Sequence, residues 1–177
     1  MRRLLALLVA ICGLWLIAPV PSSSQGGGIQ MVWANQPGPL AGLGEVYVMV
    51  ASSDIQVIAN GLKTEDVQAA VEGRLEAAGI PVVSKAARNS TTPVLLIKIS
   101  TFPDRDDRGC LFTMQAKVEQ NVLLQRNQKI LVMHASTWQK ETMGYVTQRP
   151  AENLTAEVED LVDAFIRDYR QVNLVKK

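Results

Sequence analysis

His134 is the only histidine of the 177-residue chain, so a Ser-His-Asp triad has a single candidate base and a two-histidine metal site has no second ligand. Asp104, Asp106 and Asp107, closed by Gly109, resemble part of a calcium loop, a site whose hard cation takes six or more oxygens. Arg105 and Arg108 interleave with these acids and neutralise them, which makes a solvated hairpin turn the better reading. Paired carboxylates for glycoside work would need aromatic platforms, and the chain has few aromatics. No catalytic residue, metal site or cofactor is therefore assigned. Recognition chemistry is better represented. Trp138 beside Thr137, with Tyr145 further along, is the best partner-binding group, because an aromatic next to hydroxyls can anchor a surface. The competing reading is that Trp138 plugs the sheet under the last helix. Gln120 is a polar residue in an apolar row and needs a hydrogen-bond partner, either structural or a ligand.

The elements that must carry these residues begin after a leader. Arg2 and Arg3, the uncharged run Leu4 to Ile17, Pro19 and a Ser/Gly-rich break have the three parts of an export signal. The run is shorter than the roughly 20 residues that span a bilayer, so a cleaved signal over residues 1–24 is expected rather than an anchor. Cleavage fits before Gln25 or before Asn35. Cys12 lies mid-run with Ile11 before it, so it reads as a hydrophobe of the signal rather than a lipidation site. Removing Arg2 and Arg3 from 18 Lys+Arg leaves 16 against 17 Asp+Glu, a mature net charge of −1. That balance argues against nucleic acid or anionic lipid as the partner.

Residues 25–43 are rich in Gly, Pro and Gln and are expected to form a flexible leader, with Trp33 as its one aromatic. Residues 44–173 read as a single domain and 174–177 as a tail. Val46, Val48 and Val50 alternate with Tyr47, Met49 and Ala51, a strand apolar on both faces and hence expected in the middle of a sheet. A second apolar stretch, Ile55 to Ala59, runs into an Asn60-Gly61 turn. Thr64 is the expected N-cap of a helix from Glu65 to Ala78, with Val67, Ala70, Val71 and Leu75 inward and Gly79 as its stop. Ile80–Val83 reads as a short strand, and Leu95, Ile97 and Ile99 mark another.

The clearest alternation runs through Cys110, Phe112, Met114, Ala116 and Val118 and on to Val122 and Leu124, one core-facing row, which makes Cys110 a buried thiol rather than a nucleophile. A return strand over about Lys129 to Thr142 completes a hairpin. Leu154, Val158, Leu161, Val162, Phe165 and Tyr169 stripe a final helix, with acids early and Arg167 and Arg170 late to match its dipole. The expected fold is α+β: a two-layer sandwich of a mainly antiparallel sheet of four to five strands with two amphipathic helices on one face.

The runs Gln120 to Arg126, Ala135 to Trp138 and Leu161 to Tyr169, together with Leu75 to Ile80, resemble a group of short exported bacterial proteins that have no assigned activity. The resemblance covers about residues 44–173 and implies an envelope setting rather than a reaction. More distantly, the layout is similar to transporter-auxiliary lipoproteins, although this chain lacks a lipobox. The resulting expectation is a periplasmic or secreted, non-enzymatic module that binds another envelope protein through its sheet face or a strand edge. A carrier of a small apolar ligand, needing a cavity of about 300 Å³, is the alternative. A hydrolase using His134 is the third reading, and the oligomeric state is left open.

Overall fold

The computed structural model describes residues 37–52, 62–103, 109–124, 126–146 and 150–173. The signal, Trp33, the Ile55–Gly61 stretch, the Asp104–Asp107 turn and the tail lie outside the described residues. The described elements are a 3₁₀ turn (Gly38–Leu40), β1 (Tyr47–Ser52), α1 (Thr64–Ala77), β2 (Val94–Pro103), β3 (Cys110–Leu124), β4 (Asn127–Val146) and α2 (Pro150–Asn173). The strands form one sheet in the order β1-β2-β3-β4. β1 and β2 are parallel, as a crossover through α1 requires, and the other two pairings are antiparallel.

Strand alternation writes the core in rows across the sheet. Val48, Leu95, Val118 and Trp138 share one row; Val50, Ile97, Ala116 and Lys140 the next; then Ile99, Met114 and Thr142. Val67, Val71 and Leu75 of α1, four residues apart and so on one helical face, join the same apolar core as Leu154, Val158, Val162 and Phe165 of α2. The result is the expected α+β sandwich, with both helices on the inner face and Lys98, Lys117 and Tyr145 on the outer one.

Four local expectations are corrected. β1 is the edge strand among the described residues, not a central one. Just before β1, Val46 N–H donates to Pro81 O and Val46 O accepts from Val83 N–H across a single bridge, so residues 80–83 make one rung rather than a strand. Thr64 lies inside α1; the cap position is Lys63, which is extended and offers no side-chain cap. The stop behaves as expected, because Gly79 takes φ 79° and Ile80 N–H and Gly79 N–H reach back to Leu75 O and Glu76 O. The last residues of the leader are not loose. Leu40 is fully buried, and Asn173 of α2 ties the turn down, donating to Leu40 O at 2.9 Å and accepting from Gly42 N–H at 2.8 Å.

β4 runs four residues further at its C-terminal end than the alternation suggests, through Gly144 and Tyr145 to Val146. At the other end, β2 stops pairing at Val94 and Glu119. Beyond that rung β3 and β4 continue alone, Gln120–Leu124 against Asn127–Ala135, as a two-stranded arm of about 17 Å. Bulges interrupt it, and at one of them His134 sits at φ 54°, in the left-handed region.

Candidate functional site

The four recognition residues fall in three places. Trp138 is in the core at 0 % exposure, edge-on to Phe165 with ring centroids 5.2 Å apart. Its Nε1–H donates to Asp168 Oδ2 at 3.1 Å, and the same oxygen lies 3.5 Å from Lys140 Nζ. Trp138 therefore offers no surface to a partner, and the reading that it plugs the sheet under the last helix is the correct one. What it does is satisfy a buried ion pair beneath α2. Gln120 and Thr137 come together at the base of the arm, where Gln120 Nε2 donates to Thr137 Oγ1 at 2.9 Å and, at 3.5 Å, to Pro39 O. The amide thus has its structural partner. Tyr145 lies at the opposite end of β4, seven residues beyond Trp138.

Tyr145 belongs to a different group. Phe102 of β2, Leu111 of β3 and Tyr145 of β4 are register neighbours on the outer face, and all three are exposed. A large apolar side chain at each of three successive strands makes one band across the sheet, ending at β4. No described strand pairs with the far side of β4, so the band borders an open edge. Gly109 shapes this band: a Cβ there would meet Val146 O and come within 2.9 Å of the Tyr145 ring, so only glycine lets the ring lie against the backbone.

A second feature was not legible as a site in the sequence. Lys140, Glu141 and Thr142 of β4 face Glu157, Asp160, Leu161, Ala164 and Arg167 of α2 across a cleft of about 170 Å³. Glu157 Oε2 is buried without a hydrogen-bond partner. Burial, then the nearby Asp160 charge, raises the Glu157 pKa above the ordinary carboxylate value, against a hydrogen bond from Thr142. A carboxyl so placed either keeps its proton and donates, or accepts from a donor entering the cleft. The smaller cavity between the helices, about 30 Å³, is bordered by Val67, Val71, Arg74 and Val162. Arg74 spans it with a bidentate pair to Asp163, at 2.7 and 2.6 Å, which holds Asp163 below the usual carboxylate range.

The remaining reactive groups stand apart. Cys110 is buried and its thiol pKa is pushed up by that burial, as an inert structural thiol requires. His134 is on the exposed arm, its backbone N–H directed to Asn121 Oδ1 at 3.4 Å. Among the described residues no group of three His, Cys, Asp or Glu side chains could hold a metal ion, and no helix is long and apolar enough to cross a membrane.

No protein-family model matches the sequence, and no curated protein does. Among solved structures, two of the PelC dodecamer from Paraburkholderia phytofirmans are similar in layout, one of them a point variant. Their TM-scores are 0.44 and 0.45, at 13 % and 12 % identity, over 80 % of this chain and 97 % of that one.

Proposed function

We propose that this chain is an exported, non-enzymatic accessory module that binds another protein of a bacterial envelope. The observation that carries this reading is the Phe102–Leu111–Tyr145 band on the outer face, ending at the unpaired edge of β4. Water-exposed aromatic and aliphatic side chains in one continuous row are an unfavourable way to finish a sheet unless something covers them. An open edge beside the row adds main-chain donors and acceptors for an extended segment of the partner. The band supplies anchors, and the edge supplies direction.

The export signal read from the sequence supports the envelope setting, and the burial of Cys110 and the place of His134 on the exposed arm give a hydrolase reading little support. The carrier reading fares less well. Of two cavities among the described residues, the larger is lined mostly by charged side chains rather than by the Val/Leu/Met set, and at about 170 Å³ it is smaller than a drug-sized ligand takes. Glu157 favours a different ligand there, a small molecule bearing a hydrogen-bond donor.

A photo-crosslinking residue placed at Tyr145 in living cells tests the binding reading. Crosslinks from Tyr145 and Phe102 to one defined polypeptide, absent when the probe replaces exposed Glu76 on α1, are the expected result; the same faint pattern from all three positions would overturn it.

A further inference from the structure

The arm of β3 and β4 is built unlike the rest of the surface. Leu123 and its register partner Leu131 face the same side, and Met133, two residues on, joins them. All three are more than half exposed, and Ile130 on the other side of the arm is 44 % exposed. No Asp or Glu occurs from Gln120 to Gln139, whereas Arg126 and Lys129 stand exposed at the turn end. Apolar side chains flanked only by cations have the composition of a surface made for the headgroup and acyl boundary of an anionic bilayer.

The exposed charges of α2 are sorted in the same sense. α2 begins where β4 ends, at the end of the sheet away from the arm, and four of its acids, Glu157, Glu159, Asp160 and Asp163, lie in its first two thirds. Its last turns carry Arg167 and Arg170 and end at Asn173, which holds the Leu40 turn; Pro39 of that turn is reached by Gln120 at the base of the arm. Along α2 the exposed basic residues thus lie toward the arm and the exposed acids away from it, Asp168 being buried against Lys140. The near-neutral net charge, which as a whole-chain average argues against an anionic lipid partner, conceals this polarity.

We infer that the β3–β4 arm docks peripherally on an anionic lipid surface, with Leu123, Leu131 and Met133 entering the acyl boundary and Arg126 and Lys129 meeting the phosphates. At about 17 Å the arm is too short to cross a hydrocarbon core of about 30 Å, so it rests in one leaflet. The site is separate from the Phe102–Leu111–Tyr145 band, which lies at the other end of the hairpin.

The test is flotation of the mature protein, purified from the envelope, with vesicles of phosphatidylethanolamine and phosphatidylglycerol, against vesicles of phosphatidylcholine alone. Binding to the anionic vesicles alone, weakened by 0.5 M salt, is expected. Arg126→Gln and Lys129→Gln should each lower partitioning about fivefold, the equivalent of about 1 kcal/mol per basic residue near an anionic surface. A fluorophore on Leu131→Cys, the buried Cys110 being spared, should shift to the blue with those vesicles. Equal binding by wild type and both variants, or an unshifted fluorophore, would overturn the inference. So would loss of self-association in the variants with vesicle binding unchanged, which would make the arm a contact between copies.

Discussion

At the scale of single residues, the chemistry of this chain lies under α2. Trp138, Asp168 and Lys140 form a buried polar node in which one carboxylate oxygen takes an indole N–H and faces an ammonium group. Trp138→Phe keeps the ring packing but removes the donor, and should lower stability by about 1–3 kcal/mol in urea titration while partner binding by the folded protein is unchanged. Glu157 carries the opposite sign. Its folded-state pKa is raised, so the folded protein holds this proton more tightly than the unfolded chain, and the ionised group opposes folding at neutral pH. That opposition fades as pH falls through the raised pKa and is gone below the ordinary carboxylate range. Glu157→Gln should therefore stabilise at pH 7 by about 1 kcal/mol or less, given that the group is only partly buried, with the gain vanishing near pH 4. Chemical denaturation at the two pH values checks this. The sequence shows Glu157 as one of several early acids matching the helix dipole; only the approach of Thr142 from β4 makes it different. Trp138 was ambiguous for a related reason, since strand alternation gives the face of a residue but not which face a helix covers.

At the scale of elements, alternation through β3 was fully legible, because Cys110 to Val118 is paired on both sides and one face is buried throughout. Past Val118 the bulges break the period of two, so apolar residues there read as core while standing on an exposed arm. The edge position of β1 was hidden because α1 packs on it and the Ile80–Val83 segment bonds beside Val46, so its residues are apolar without a second strand alongside. Two element junctions can be tested. Gly144 sits opposite Phe112, whose ring would be 2.7 Å from an added Cβ. Gly144→Ala should then cost about 1–3 kcal/mol through displacement of that ring, seen as a lower midpoint in thermal denaturation. Between the helices, the Arg74–Asp163 pair is geometrically good but its side chains are 39 % and 47 % exposed. Arg74→Met should change stability by no more than about 1 kcal/mol, and less in high salt. Because Asp163 is held at a lowered pKa, its contribution is present above the ordinary carboxylate range and is lost as pH falls through the lowered value.

At the scale of the whole molecule, the helices seal one face of the sheet and leave the other to water, with an apolar band at one end and an apolar, basic arm at the other. The two-layer arrangement comes from patterning alone, since two amphipathic helices and one half-wet sheet have a single economical packing. The band does not, because Phe102, Leu111 and Tyr145 are far apart in sequence and meet only through register. The reading of this chain as a binding module rests on that band. The decisive measurement is quantitative capture from the envelope with the wild-type protein and with a Phe102→Asn, Tyr145→Asn double variant, after circular dichroism has verified that both are folded. One stoichiometric polypeptide should bind the wild type and be reduced at least about tenfold with the variant, the loss of two apolar anchors of about 1 kcal/mol or more each. The same polypeptide recovered equally with both proteins would contradict the binding role of the band.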